Sequence, residues 1–327
     1  MALQCSVMNS EGASLPAPRA NHASCWADNK LVVYGGNGPC KNQNCLEDVC
    51  WVMDTETMTW TEVKGRGALP GARCHHTMDV IGNKAWAFGG WTGKRRCNFL
   101  HCLDLESETW TDYTSRMTHI DTHTSHASTV RDNHTILVLG RGETGTHAKY
   151  GCNIDFLDTR TLKWTNYPGS TISRAGHTLN FLPSVSTSYA VAYGGRQRHP
   201  VEHITTCKVK TPFVSLFQSG LPTSVLEEAK TVDVPAGRSY HSATSIGGTL
   251  LIYGGFIQGK SVRGLVDGVN EVFVFDAKKG QWMSPAVKGD WPKRAGHTAD
   301  RIGENKVLLF GGEHSNKQYN DCHVITW

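Results

Sequence analysis

Leu31-Val32-Val33-Tyr34-Gly35-Gly36 is an apolar run that ends in a glycine pair, and similar segments follow it along the chain. Successive copies begin about 50 to 60 residues apart, a period typical of proteins built from repeated small sheets. In the third copy Arg141 separates the two glycines. The other copies lie at residues 85–90, 136–142, 189–195, 250–255 and 307–312. This repetition decides the fold.

Two further patterns repeat in step with these runs. Before each run stands an Arg-x-x-His pattern: Arg19/His22, Arg73/His76, Arg174/His177, Arg238/His241 and Arg294/His297, with His123/His126 in the third copy. After the run come an aspartate and a tryptophan: Asp54/Trp60, Asp104/Trp110, Asp158/Trp164 and Asp276/Trp282.

Glycine permits close backbone approach and positive φ, and tryptophan can fill a gap between neighbouring sheets. We therefore assign structural roles to Gly35, Gly36, Gly89, Gly90, Gly194, Gly195, Gly254, Gly255, Gly311, Gly312, Trp60, Trp110, Trp164 and Trp282. The recurring Arg-x-x-His also predicts a structural duty, pairing across neighbouring repeats, because a catalytic residue is needed only once per site.

This three-part pattern resembles the kelch repeat, and the resemblance covers essentially the whole chain. It implies an all-β fold: a six-bladed kelch β-propeller with four-stranded antiparallel blades, formed by residues 1–327 as one domain. Segments at residues 89–96, 140–151 and 173–177 are similar to small stand-alone kelch proteins, and no BTB, BACK or F-box segment is recognised. The resemblance implies a protein-interaction role without catalysis.

The two ends of the chain predict how the ring closes. The last residues match the third strand of a sixth blade, and residues 4–8 match an outer strand that has no blade of its own. We expect residues 4–8 to complete the sixth blade, because this removes an open sheet edge. The fourth copy lacks its tryptophan, and its outer half, residues 206–231, is irregular. Ser224-Val225-Leu226-Glu227 predicts the start of a short helix there.

Composition limits the classes of function. The 327 residues include 39% hydrophobic residues and 34 glycines, and the formal net charge is +4. There is no run of about 18 apolar residues, so a membrane span is not expected, and the small charge does not favour nucleic acid. The eleven cysteines and the lack of a secretory signal predict reduced thiols in the cytoplasm or the nucleus. We expect no cofactor and favour a monomer.

Positive charge gathers in the connections between the second and third strands of the blades. These connections and the connections between blades share one face of a propeller, called here the loop face. They hold eleven basic residues and three acidic ones: Lys41, Lys94, Arg95, Arg96, Arg141, Lys149, Arg196, Arg198, Lys260, Arg263 and Lys317 against Glu143, Asp267 and Glu313. Such a face attracts an acidic or C-terminal peptide, and arginine can bind a carboxylate with two hydrogen bonds. The predicted peptide-binding residues are Arg141, Arg196, Arg95, Arg96, Arg198, Arg263, Lys260, Lys149, Trp91 and Tyr319. A binding hot spot should include an aromatic anchor, and the loop candidates are Trp91, Phe256 and Tyr319.

Chemical functions are the alternative. A kelch-fold enzyme or a metal-dependent specifier protein would act in the central channel, but the specifier pattern fails where Arg116 replaces the histidine that should follow Glu108 and Asp112. No catalytic residue is predicted. His119, His123 and His126, and the thiols Cys40, Cys45, Cys50, Cys97 and Cys102, lack the spacing of common zinc sites, and whether the thiols bind metal stays open. Some kelch proteins are substrate receptors of ubiquitin ligases, which is a specific version of the interaction role.

Overall fold

The computed structural model describes residues 2–12, 14–39, 47–140, 142–144, 149–150, 154–167, 175–182, 189–196, 214–218, 235–257, 268–277 and 279–327. The regular secondary structure of these residues is β-strand throughout, without a helix. None of the described segments therefore forms a helix that is long and apolar enough to cross a membrane. The short helix predicted near Ser224 lies outside the described residues.

The strands form antiparallel sheets, named I to VI, whose strands are lettered A to D from the inside outwards. Sheet I contains Ala23–Ala27, Lys30–Tyr34, Cys50–Asp54 and Thr59–Val63; sheet II contains Thr77–Ile81, Lys84–Phe88, Leu100–Asp104 and Thr109–Asp112. Sheet III contains Ala127–Val130, Thr135–Leu139, Ile154–Asp158 and Lys163–Tyr167; sheet IV contains Ala175–Leu182, Tyr189–Arg196 and Val214–Gln218. Sheet V contains Ser242–Ile246, Thr249–Tyr253, Val272–Asp276 and Gln281–Met283; sheet VI contains Thr298–Arg301, Lys306–Phe310, Cys322–Thr326 and Ala2–Met8.

Sheet IV departs from the predicted architecture. Five sheets have the full set of strands A to D, whereas sheet IV has three strands among the described residues. The predicted count of six four-stranded blades is therefore not confirmed. Most of the irregular outer half, residues 206–231, lies outside the described residues.

Strand A of each sheet contacts strand A of the next, and that of sheet VI contacts that of sheet I. The contacts thus close a ring around a central channel, which is the arrangement of a β-propeller. This ring buries both faces of each sheet, something that a single twisted sheet cannot do.

Short strands lie at the edges and in the connections. Arg66–Gly67 pairs parallel with strand D of sheet II, and Ala286–Gly289 pairs parallel with strand D of sheet VI. Both cover an outer edge that would otherwise present unpaired backbone groups. The remaining short strands are Thr122–His123, Gly142–Thr144 and Lys149–Tyr150 in one sheet, Arg238–Ser239 with Phe256–Ile257, and Glu313–His314 with Lys317–Gln318.

The N-terminal strand Ala2–Met8 is strand D of sheet VI and includes the predicted residues 4–8. It pairs antiparallel with strand C, placing Cys5 opposite Ile325. Leu3 and Cys5 are buried against the core between sheets V and VI. The two ends of the chain therefore hold each other in one sheet.

Aromatic pairs fill the gaps between sheets. The tryptophan on strand D of one sheet packs against the aromatic residue that precedes the glycine pair of the preceding sheet. Ring centroids are 4.9 Å apart for Trp60–Phe310, 5.3 Å for Trp110–Tyr34, 4.8 Å for Trp164–Phe88 and 4.8 Å for Trp282–Tyr193. Each pair buries a large apolar area at the boundary between two sheets.

Two boundaries between sheets differ. Strand D of sheet VI has no tryptophan, and Trp291, which precedes strand A of that sheet, packs on Tyr253 at 5.5 Å instead. At the boundary between sheets III and IV both partners are changed, because strand B of sheet III ends in Leu139 and the fourth copy lacks its tryptophan. The irregular fourth copy thus faces the one copy in the sequence whose first glycine follows a residue that is not aromatic.

The glycine pairs mark the closest approach of one sheet to the next. Gly35 has φ of 68°, and a Cβ there would lie 2.5 Å from the carbonyl oxygen of Arg73 in the neighbouring repeat. Any larger residue would need both a strained backbone and a wider spacing between sheets. The sequence therefore requires glycine here for two separate reasons.

Candidate functional site

Four arginines of the Arg-x-x-His patterns are described, and all four are buried and bond within their own sheet, while Arg174 lies outside the described residues. Arg19, Arg73 and Arg238 donate from Nη1 to the carbonyl of the first glycine of their own repeat, at 3.0, 3.2 and 3.0 Å. Arg238 also binds Glu271 at 2.6 Å, and Arg294 binds Asp321 at 2.5 Å. The predicted pairing across repeats is wrong for the arginines, because each guanidinium reaches the end of strand B and the start of strand C within its own sheet.

The histidines of the same patterns do connect neighbouring sheets. Their Nε2 atoms lie within hydrogen-bond distance of a hydroxyl on strand A of the preceding sheet: His22 with Thr298 at 3.0 Å, His126 with Thr77 at 3.0 Å, His241 with Thr178 at 3.1 Å and His297 with Ser242 at 2.8 Å. Burial lowers the pKa of His22, His76 and His126 well below the usual value and that of His297 to about 3. The rings of His22, His126 and His297 are therefore neutral structural links, and the ring of His76 is neutral as well.

The third repeat replaces its arginine with His123. The Nε2 atom of His123 lies 3.4 Å from the carboxylate of Asp155, and both side chains are buried. Its Nδ1 atom lies 2.8 Å from the carbonyl oxygen of Asp121. His123 thus takes over the arginine's place within sheet III. His126 is used by the link to sheet II and His119 is exposed, so the three histidines do not converge.

A closed ring of backbone hydrogen bonds surrounds the channel just inside the loop face. The residue before each histidine donates its N–H to the carbonyl of the equivalent residue in the preceding sheet, over 2.7–2.9 Å. All of them have positive φ, between 52° and 65°. They are Asn21, His75, Ser125, Gly176, Tyr240 and Gly296.

Tyr240 reaches across the channel above this ring. Its side chain packs over Gly176, where a Cβ would lie 3.0 Å from the Tyr240 ring. Its hydroxyl lies 3.4 Å from Ser125 Oγ, and its ring centroid is 5.4 Å from that of His75. Phe256 packs edge-on against Tyr240 at 6.2 Å. These contacts with three other repeats show that Tyr240 covers the mouth of the channel, and the half-buried His75, Tyr240 and Phe256 are called here the aromatic cap.

Phe256 was one of the predicted aromatic anchors, but sequence reasoning missed His75 and Tyr240 because it read only the arginine and the histidine of each pattern. A signal was present: Gly176 and Gly296 occupy the place of Tyr240 in two other copies, and glycine at a repeated position indicates positive φ. Which of the six side chains extends over the channel is decided by the ring geometry.

The predicted residues Trp91, Arg95 and Arg96 lie together in a fixed turn beside the aromatic cap. Trp91 forms two backbone hydrogen bonds with Cys74, the residue next to His75 in the chain, at 2.8 and 3.0 Å. Thr92 closes the turn by bonding Arg95 through both its N–H and its hydroxyl. Lys94 and Arg95 are exposed and Arg96 is half-buried. This segment, residues 91–96, is called here the basic turn.

Tyr319, predicted as an aromatic anchor, contacts two cations of its own sheet. The Arg294 guanidinium lies 3.5 Å from the centroid of its ring, and Lys317 Nζ lies 5.0 Å from the same centroid. The chain's own cations therefore contact this ring, which leaves less of it for a partner.

The other predicted basic residues are not described in full. Arg141, Arg198, Lys260 and Arg263 lie outside the described residues. For Arg196 and Lys149 the backbone is described as strand, and their side chains are not. Their roles stay predictions. The connections between strands B and C, as the strand bounds define them, also contain Glu47, Asp48, Glu271 and Asp321, so the predicted count of three acidic residues is too low.

The thiols are placed as small core residues. Cys50, Cys97 and Cys102 are buried, while Cys40 and Cys45 lie outside the described residues. Burial raises the pKa of Cys50 and of Cys102 to about 12, which keeps both protonated rather than ready to bind metal. Within the described part of the chain, no three His, Cys, Asp or Glu side chains are grouped to hold a metal ion.

Comparison with known proteins shows which family the chain belongs to. The family model described as the KLHDC2/KLHL20/DRC7 kelch-repeats domain matches residues 2–195 and 171–327. The chain belongs to the kelch-repeat family. Human kelch domain-containing protein 3 is 24% identical over 94% of this chain and 64% of that protein, and Drosophila melanogaster host cell factor is 28% identical over 68% of this chain and 16% of that protein.

A solved structure of YjhT matches with a TM-score of 0.66 at 14% identity, covering 96% of this chain and 97% of that chain, which shows the fold alone. The chain spans 16% of the length of host cell factor, and 24% and 49% of the length of two other relatives, Arabidopsis thaliana acyl-CoA-binding domain-containing protein 4 and Oryza sativa adagio-like protein 3. The finer resemblance of three short segments, to kelch domain-containing protein 9, stays a prediction.

Proposed function

We propose that the chain is a protein-interaction module that binds an acidic or C-terminal peptide segment on its loop face. The observation that carries this proposal is the position of the basic turn next to the aromatic cap: Trp91 is hydrogen-bonded to Cys74, and Cys74 is the chain neighbour of His75 in the cap. Exposed Lys94 and Arg95 supply charge, while Tyr240 and Phe256 supply half-exposed aromatic surface at the centre of the face. Binding hot spots combine these two features, with aromatic and arginine residues near the middle of an interface.

The basic turn and the aromatic cap are held in place by hydrogen bonds, which also supports this surface as the binding site. The hydrogen bonds within the basic turn and the closed backbone ring fix the positions of both groups before a partner arrives. A fixed site loses less conformational entropy on binding than one that must be ordered. The kelch-repeat relatives agree with an interaction role for the module.

Several wider statements belong to this proposal. Sheet IV counts as a blade, which gives six blades around the channel, and residues 1–327 act as one domain. The module works as a monomer in the cytoplasm or the nucleus, needs no cofactor and acts without catalysis. Service as a ubiquitin-ligase substrate receptor is a specific form of the same role.

The test is peptide selection followed by affinity measurement. Displayed libraries of random peptides, with free and with blocked carboxyl ends, are selected on the purified chain, and the most enriched sequence is synthesised with a fluorescent label. We expect acidic sequences, with a Kd that rises with ionic strength. Charge reversal by Arg95→Glu/Arg96→Glu, and separately Tyr240→Ala, should each weaken binding about tenfold or more.

The matched control is Lys30→Glu/Lys84→Glu, which changes the net charge equally on exposed residues at the opposite ends of sheets I and II. Equal weakening by both charge-reversal pairs would show that only net charge matters. Enrichment of neutral or basic peptides would contradict an acidic partner.

A further inference from the structure

The central channel holds a second cavity that is separate from the loop face. Its volume is about 390 Å³, and strand A of every sheet contributes to its wall. A smaller space of about 120 Å³ lies on the loop side, lined by the six histidines and by the residues of the backbone ring, including Tyr240. The larger cavity therefore lies beneath the aromatic cap, towards the turns that join strands A and B.

Oxygen acceptors occupy one level of the larger cavity. The third residue after the histidine is Asp79 in sheet II, Asn180 in sheet IV and Asp300 in sheet VI, so these three stand on alternate sheets around the channel. Asp79 accepts a hydrogen bond from Ser128 at 2.5 Å, and Asp300 accepts one from Ser24. Each carboxylate thus has a hydroxyl donor on the following sheet.

The protein supplies little positive charge to these carboxylates. Arg301 lines the same cavity, but its guanidinium donates to the carbonyls of Gly303 and Glu304, at 2.9 and 3.2 Å. Burial raises the pKa of Asp79 to about 7 and that of Asp300 to about 6, because the charged form is poorly solvated there. A bound cation would stabilise the charged form of both side chains.

Two further groups in the cavity wall have unused hydrogen-bonding capacity. The Oδ1 atom of Asn180 is buried without a partner, while its Nδ2 donates to the carbonyl of Ala243 at 2.9 Å. His76 is only 5% exposed, and neither of its ring nitrogens has a hydrogen-bond partner. In four other sheets the equivalent Nε2 meets a hydroxyl, but the residue that faces His76 is Ala23, also in the cavity wall.

We propose that this cavity binds a small organic cation carrying primary ammonium groups, such as a short diamine. An ammonium group has three N–H donors, and the level of Asp79, Asn180 and Asp300 offers carboxylate and amide oxygens to accept them. Charge-assisted hydrogen bonds of this kind are the strong ones. A metal ion fits less well, since the described residues hold no group of three metal-binding side chains.

Calorimetric titration with 1,4-diaminobutane tests the proposal, with 1,4-butanediol as the uncharged molecule of similar length. We expect the diamine to bind and the diol to bind at least tenfold more weakly. Asp79→Asn and Asp300→Asn should each weaken diamine binding about ten- to hundredfold, the effect of losing one charge-assisted hydrogen bond. Asp54→Asn is the control, because it removes an equal charge from an exposed turn outside the cavity.

Loss of stability is separated from loss of binding by Ser128→Ala. This variant removes the hydroxyl donor of Asp79 and leaves the carboxylate in place, so it should retain the diamine affinity within about threefold even if it melts earlier. Equal binding of the diol, unchanged diamine affinity in both aspartate variants, or an equal loss in Asp54→Asn would each overturn the proposal.

Discussion

The missing partner of His76 predicts a stabilising substitution. In sheets IV and V, Thr178 and Ser242 occupy the position equivalent to Ala23 and lie 3.1 and 2.8 Å from the histidine of the next sheet. The methyl group of Ala23 cannot form a hydrogen bond, and both ring nitrogens of the buried His76 lack a hydrogen-bond partner. Ala23→Ser should place a hydroxyl where Ser242 has one, within reach of His76 Nε2.

The expected gain follows from the energetics of buried hydrogen bonds. A new intramolecular bond contributes about 1 kcal/mol net, and an unpaired buried polar group costs about 1–3 kcal/mol. We therefore expect Ala23→Ser to raise the free energy of unfolding by about 1–2 kcal/mol. At about 2 cal/mol/K of unfolding entropy per residue, this corresponds to a rise in Tm of about 2 °C for a chain of this length.

Urea denaturation followed by tryptophan fluorescence is the assay. The midpoint should rise while the slope with denaturant stays unchanged, because the exposed surface on unfolding does not change. Thr298→Ala removes the partner of His22 and should lower the midpoint by a similar amount. Adding His76→Phe to Ala23→Ser should abolish the gain. A midpoint for Ala23→Ser at or below that of the wild type, with Thr298→Ala destabilised, would refute the reasoning.

Two more predictions concern the spacing between sheets and the channel carboxylates. Gly35→Ala should destabilise far more than Gly71→Ala, because both positions have positive φ but only at Gly35 does a Cβ meet backbone, the Arg73 carbonyl; urea midpoints that fall equally would contradict this. The raised pKa of Asp79, about 7 against 3.8, means that the folded state keeps a proton that the unfolded chain releases, so the stabilising contribution of Asp79 is lost as the pH rises from about 4 to 7. Asp79→Asn, whose amide oxygen can still accept from Ser128, should therefore gain stability relative to the wild type between pH 5 and pH 8. A constant difference in unfolding free energy over that range would contradict a raised pKa of Asp79.

The local sequence pattern was enough to predict the repeated sheets and the N-terminal strand that completes sheet VI. Strand B of each sheet is buried on both faces, so it reads as an apolar run, and the glycine pair after it is forced by the approach of the next sheet. The role of the tryptophans followed from their size alone. The candidate site could be predicted less completely from the sequence. Of the predicted anchors, Trp91 lies beside the aromatic cap, while Tyr319 contacts the chain's own Arg294 and Lys317.

The sequence by itself determined the family, the repeat and the residues that build each sheet, because these depend on contacts that recur with the same spacing in every copy. The closure of the ring decided which side chains meet in the central channel. Tyr240 covers the channel and Asp79, Asn180 and Asp300 share one level of it because residues more than 50 positions apart meet only when the last sheet packs against the first. The partners of Arg19, Arg73 and Arg238 were likewise set by tertiary structure, since each guanidinium bonds a carbonyl at the end of strand B, and that carbonyl belongs to its own sheet.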